Sequence, residues 1–307
     1  TREEKHSTRG RAHLLWELLQ GEVLEDGWRN EDVKEALDLC LSCKACKTEC
    51  PTNVDLATYK SEFLAHYYEG RSRPLSAYAF GWIDRWARMA SRAPGLANAL
   101  GRSPLTGGIA KRLLHIHPSR KLPEFAASTF RDRMKRRQGR RRAEAPAGHG
   151  GAKADVLLWA DTFTNYFQPH IAEAAYDVLS GAGFRVNVLQ RHVCCGRPLY
   201  DFGMRDRARQ YLTDAMDAVS AELAAGTPIV VLEPSCASVF RDEAVNLMPD
   251  DPRTLRLRRQ TLLLSEFLVR YAPDYRPAQT RQKMLVHMHC HHRAIFGMKD
   301  EVAVLGA

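Results

Sequence analysis

Apolar residues recur at helical spacing through the first part of the chain. Residues 8–20 (TRGRAHLLWELLQ) place Ala12, Leu15, Trp16 and Leu19 on one helical face, and Val33, Ala36, Leu37 and Cys40 repeat the spacing downstream. Two more helices are predicted over 55–69 and 76–90. The aromatics of the second, Tyr78, Phe80, Trp82 and Trp86, are expected in the core or against another domain. Pro, Gly and Ser interrupt 91–123, leaving room for a short helix at 108–115. Strand signals begin only after residue 150. Short β-branched runs at 155–160 (DVLLWA), 184–190 (FRVNVLQ), 228–233 (PIVVLE) and 283–289 (KMLVHMH) alternate with longer amphipathic stretches at 169–181, 204–225, 235–246 and 261–271. Strand then helix, repeated, predicts parallel strands joined by right-handed crossovers. The expected layout is a helical domain over 1–99, a Pro/Gly-rich and basic linker over 100–154, and an α/β domain over 155–307.

Length and composition agree with two cored domains: 307 residues, of which 45% are hydrophobic. No run approaches the roughly 18 apolar residues of a membrane span, and the opening TREEKHSTRGR is charged rather than signal-like. A soluble protein in a reducing cytoplasm is therefore expected, and the missing initial Met suggests a fragment of a larger chain. The formal charge of +9 is localised. Residues 131–142 (RDRMKRRQGRRR) carry eight Arg or Lys against one Asp, a net +7 that leaves about +2 elsewhere. Followed by the small-residue run AEAPAGHGGAKA, this segment reads as a solvated linker, with an acidic partner or an anionic inner-membrane face as the alternative contact. Nucleic acid is not expected, because no aromatic residues interleave the charges.

Half of the eight cysteines fall within residues 40–50. Cys40, Cys43, Cys46 and Cys50 follow the pattern Cys-x2-Cys-x2-Cys-x3-Cys-Pro, the spacing of ferredoxins that hold [4Fe-4S] clusters. A cubane's corner irons are close together, so three thiolates must arrive from one tight loop. In two-cluster ferredoxins the last cysteine of the run ligates the other cluster, so Cys40, Cys43 and Cys46 are expected to hold one cluster while Cys50 reaches a second. Zinc is the alternative, although zinc sites usually separate two Cys pairs by a longer span. No cysteine precedes Cys40, so the remaining ligands are expected outside these residues.

Cys194, Cys195, Cys236 and Cys290 each lie just beyond the carboxyl end of a predicted strand, where an open parallel sheet forms its ligand crevice. Cys236, after Pro234 and the candidate N-cap Ser235, is placed where a helix N-terminus would stabilise a thiolate. Metal or cluster binding, a redox disulfide and plain core filling all fit these four. His287, His289, His291 and His292 alternate along an extended segment, so that His289 and His292 join the cysteines as candidate ligands.

The runs CLSCKACKTECP, CCGRPLYDFG, LEPSCASVFRDE and HMHCHHRAIFGMKDEVAVL together resemble the carboxy-terminal part of bacterial FAD-linked oxidases of the D-lactate or D-2-hydroxyacid dehydrogenase type. The same module is similar to the iron-sulfur subunits of glycolate oxidase and anaerobic glycerol-3-phosphate dehydrogenase, and more distantly to heterodisulfide reductase. The resemblance implies an α-helical two-cluster ferredoxin-like unit followed by an α/β cysteine-rich (CCG) domain. It also implies an upstream FAD domain, absent here, that oxidises a 2-hydroxy acid, with clusters passing electrons to a quinone, cytochrome or flavoprotein. Two positions depart from the family pattern: Asp161 and Val239 stand where cysteines are expected. Cys290 looks like the opening of a second motif copy whose CCG would fall beyond residue 307. No catalytic residue for substrate oxidation is visible in the chain. The competing expectations are a heterodisulfide reductase-like thiol enzyme and a zinc-stabilised interaction module.

Overall fold

The computed structural model describes residues 3–144, 154–277, 283 and 285–306. Three helices, Thr8–Gln20, Glu31–Asp38 and Leu56–Tyr67, enclose a first core of Leu15, Leu18, Val33, Leu37, Leu56, Phe63, Leu64 and Tyr67. Side chains cap all three: Ser7 accepts from the Gly10 amide, Asn30 from Val33 and Asp55 from Thr58. The first helix is rotated from its expected face. Leu18 is buried in place of Trp16 and Leu19, which are exposed. The helix expected over 76–90 is broken at Trp82 into Leu75–Gly81 and Ile83–Ala90, and two short helices follow, Pro94–Arg102 and Thr106–Leu113.

The second half is an α/β layer around a four-stranded parallel sheet of order β2-β1-β3-β4, with β1 Asp155–Trp159, β2 Arg185–Val188, β3 Ile229–Val231 and β4 Thr261–Leu262. Alternate residues feed opposite faces. Val156, Leu158 and Val230 join helices Pro169–Gly181 and Leu264–Tyr271 in one core, whereas Leu157, Trp159, Ile229 and Val231 join Arg205–Ala218 and the segment 234–260 in the other. Three predicted strands form in place, but 283–289 does not form the fourth. The position beside β3 is taken by Thr261–Leu262, directly after helix Pro252–Gln260, and residues 285–289 run without strand pairing, Leu285 wholly exposed; residue 284 lies outside the described residues.

The stretch expected as a linker is largely structured. Phe130–Glu144 is a helix whose Phe130 and Met134 enter the core under β1 and β2, while Arg131 donates to the Ala160 and Leu189 carbonyls at 2.9 Å. The basic run is thus helical because its two apolar residues, four apart, dock one face on the sheet layer. The small-residue run at 145–153 lies outside the described residues. The two halves pack closely: Ser61 donates to the Tyr200 carbonyl at 2.7 Å, and Arg73 donates to the Phe202 and Gly203 carbonyls. Among the described residues no helix is long and apolar enough to cross a membrane.

Candidate metal centre

The loop 39–56 carries the first constellation. Backbone φ is positive at Ser42 and Lys44, 51° and 63°, a left-handed conformation costing roughly 1–3 kcal/mol at a non-glycine residue. These two reversals fold the loop so that Cys40, Cys43, Cys46 and Cys50 all line one cavity of about 880 Å³, walled by Trp16, Leu41, Val54 and Leu56. All four sulfurs are free and half-buried. Burial raises the Cys46 thiol, helped by the nearby Cys40 and Cys43, whereas the Thr52 hydroxyl, 3.1 Å away, and the backbone amides around it lower Cys50. Cys50 therefore has an environment of its own.

A tetrahedral zinc would draw its sulfurs to about 3.8 Å from one another. Among the described residues, no three of these sulfurs lie within 4.8 Å of one another. Four free thiols around one cavity are a donor set that fits either an iron-sulfur cluster or a zinc ion.

What holds the loop was not legible in sequence. The Lys44 ammonium, fully buried, reaches Asp242 at 2.5 Å, Asp55 at 3.2 Å and Glu243 at 3.3 Å. Burial alone would lower it, but Glu243, Asp242 and Asp55 prevail and hold it well above its ordinary value. Lys47 also pairs with Asp242. Arg197, the residue after Cys194-Cys195-Gly196, is buried and binds Glu243, Asp201 and the Ser42 carbonyl, the last at 2.9 Å. His291 Nε2 is 2.9 Å from the same carbonyl and Nδ1 is 3.3 Å from Ser235 Oγ; burial and Arg197 lower its pKa to about 4, so the ring is neutral. The cysteine loop, the CCG turn, the segment after β3 and the His291 segment thus share one buried charged network.

Three of the four remaining cysteines converge at the carboxyl ends of β2 and β3. Cys195 Sγ lies 2.9 Å from Cys236 Sγ, and Cys194 hydrogen-bonds to Cys195. Gly196, at φ +79°, permits the turn: a Cβ there would meet the Ala208 carbonyl oxygen and Tyr211 Cβ at 3.2 Å. The expected thiolate at Cys236 is not supported. Its bond with Cys195 lowers the pKa most, but burial together with Asp161, Cys194 and Glu233 outweighs this and pushes the thiol up to about 12. The N-cap is Glu233 rather than Ser235. Asp161 is buried beside this trio, capping Thr162–Tyr166 through the Phe163 and Thr164 amides, with its carboxyl raised by burial. Val239 is core. Cys290 stands apart: exposed, it shares a 4.8 Å ligand group with His289 and His291, whereas His292 is buried against Phe296.

The cysteine-rich domain (CCG) family matches residues 161–241, from Asp161 through both sulfur turns. The D-2-hydroxyglutarate dehydrogenase of Pseudomonas putida is 26% identical over 91% of this chain and 30% of its own length. Lactate utilization protein A of Bacillus velezensis is 29% identical over 48% of this chain and 61% of its own. The C subunit of the anaerobic glycerol-3-phosphate dehydrogenase of Escherichia coli is 29% identical over 47% and 34%. The chain spans less than a third of the length of the P. putida and E. coli D-2-hydroxyglutarate dehydrogenases, 30% and 21%. No solved structure matches it. Residues 161–241 are therefore a cysteine-rich CCG domain, within a stretch similar to D-2-hydroxyglutarate dehydrogenases, lactate utilization protein A and the C subunit of anaerobic glycerol-3-phosphate dehydrogenase.

Proposed function

We propose that this chain is the iron-sulfur electron-transfer part of an FAD-dependent 2-hydroxyacid dehydrogenase, with the helical residues 1–99 as a ferredoxin-like unit and residues 155–307 as the CCG unit. Cys40, Cys43 and Cys46 would hold a [4Fe-4S] cluster, and Cys50 would serve a second one. Cys194, Cys195 and Cys236, with Asp161 beside them, form the second redox site. The observation that carries the reading is the single cavity shared by the four motif cysteines, buttressed by the network that also holds the CCG turn. A bound cluster supplies one-electron steps at potentials from about −700 to +450 mV. The chain's own residues orient the thiolates, and the buried network of Lys44, Arg197 and their carboxylates holds the loop that carries them.

In this reading a flavin domain oxidises the hydroxy acid, and electrons leave for a quinone, cytochrome or other carrier. The resemblance to dehydrogenases over most of the chain supports it. Anaerobic iron and sulfide analysis of the purified chain, with EPR after dithionite reduction, tests it. Matched iron and sulfide with a cluster signal in the reduced protein is the expected result; stoichiometric zinc with no signal would overturn it.

A further inference from the structure

A cleft of about 480 Å³ opens between helix Ile83–Ala90 and the segment leading into the CCG turn. Arg85 and Arg88 of that helix and Arg92, in the turn just past its end at Ala90, line the cleft. Arg191 and His192 form the opposite wall, with Cys194 and Tyr211 between them. Two carboxylates, Asp84 and Asp214, also line the cleft. Asp84 is buried, accepting from Tyr211 at 3.3 Å and lying 3.3 Å from His192 Nε2. Asp214 faces Arg191 at 3.9 Å. Arg85 is held by the Tyr211 hydroxyl at 2.7 Å. Among the described residues no carboxylate pairs with Arg88 or Arg92, and the volume lies within the 300–1,000 Å³ typical of small-ligand sites.

We propose that this cleft binds a small molecule bearing oxyanion groups, carboxylate or phosphate, seated on Arg88 and Arg92 beside Cys194. Guanidinium groups match both oxyanions in a bidentate fork, so the shared chemistry is the planar pair of anionic oxygens. The placement sets a charged ligand against one sulfur of the trio without using any of the motif cysteines at 40–50. It does not depend on which metal those cysteines hold, so failure of the cluster reading would leave it standing.

Isothermal titration of the whole chain with succinate and, separately, with inorganic phosphate at low ionic strength tests the site and tells its two ligand classes apart. One-site binding of either is expected, weakened about tenfold or more in the Arg88→Gln/Arg92→Gln double variant. These side chains are exposed, so the double variant should keep the fold, which circular dichroism checks. The control Arg112→Gln, beside Lys111 on helix Thr106–Leu113 and outside the cleft, should bind as the parent does. Three results would overturn the proposal: no binding of either anion, even where an acidic polypeptide such as polyglutamate binds; unchanged affinity in the double variant; or equal weakening by the control.

Discussion

The Lys44 ammonium stands 3.3 Å from the Glu243 carboxylate, and both side chains are wholly buried. One residue belongs to the cysteine loop and the other to the segment after β3, so the pair joins the two cysteine constellations. Removing one partner of a buried ion pair leaves an uncompensated charge and costs about 3–5 kcal/mol. Lys44→Met should therefore destabilise the chain by about 3 kcal/mol, the lower end, because Arg197 and Lys47 still face Glu243 and Asp242. Adding Glu243→Gln should recover part of the loss. Urea unfolding of the parent, the single and the double variants measures this; a single-variant loss below about 1 kcal/mol would show that the network does not carry the interface.

The same network makes stability depend on acid. Burial would raise Asp242, but Lys44 and Lys47 lower it below its ordinary value, and Asp55 shifts the same way against its own burial. A carboxylate whose folded pKa is depressed contributes stability that is fully present above its unfolded value of about 3.9 and is lost as pH falls through the folded pKa. The free energy of unfolding should thus fall on acidification below about pH 4, and Asp242→Asn should flatten that fall. Equilibrium unfolding between pH 6 and pH 3 reads it; identical slopes in parent and variant would rule out Asp242 as a contributor.

The spacing of Cys40, Cys43, Cys46 and Cys50 is legible in sequence because it is local, and β1, β2 and β3 are legible because short β-branched apolar runs are local too. Sequence alone could not show Arg197 meeting the Ser42 carbonyl, 155 residues away, or Lys44 meeting Asp242 at 198. A buried Arg directly after CCG and a Lys inside the cysteine run were the available signals, and both look like ordinary surface charges in one dimension. The fourth strand was misplaced for a related reason. KMLVHMH has strand-like composition, but pairing beside β3 is decided by which segment the chain delivers there, and helix Pro252–Gln260 delivers Thr261–Leu262. The trio of Cys194, Cys195 and Cys236 followed from the strand-end rule; Cys290 obeyed its letter only on the strand that does not form.

If the motif cysteines hold a cluster, their roles separate by substitution. Cys43→Ser should remove about four irons per chain, the content of one cubane, together with its sulfide. Cys290→Ser, an exposed residue outside the cavity, should leave both counts unchanged. Colorimetric iron and sulfide assays on anaerobically purified variants distinguish the two, and equal loss in both would detach the cluster from the 40–50 loop.

Gly203 sits where the helical half meets the CCG domain, and its φ of +68° alone makes a side chain unfavourable there. Space forbids one as well: a Cβ would lie 2.6 Å from the Ala65 amide nitrogen and 2.7 Å from the Leu64 carbonyl carbon, rigid backbone of helix Leu56–Tyr67. Gly226 shares the conformation, with φ +73°, but nothing lies within 4 Å of its would-be Cβ. The pair separates backbone strain from steric exclusion. Gly226→Ala should cost about 1 kcal/mol, the price of the left-handed conformation. Gly203→Ala should cost that plus the displacement of the helix, about 3 kcal/mol or more, in the range of severe packing defects. Because the displaced helix also carries Ser61, which bonds the Tyr200 carbonyl, the variant should in addition loosen the junction and speed proteolysis between the halves. Thermal unfolding with limited proteolysis measures both effects, and equal costs at the two glycines would mean that the close approach at Gly203 relaxes without consequence.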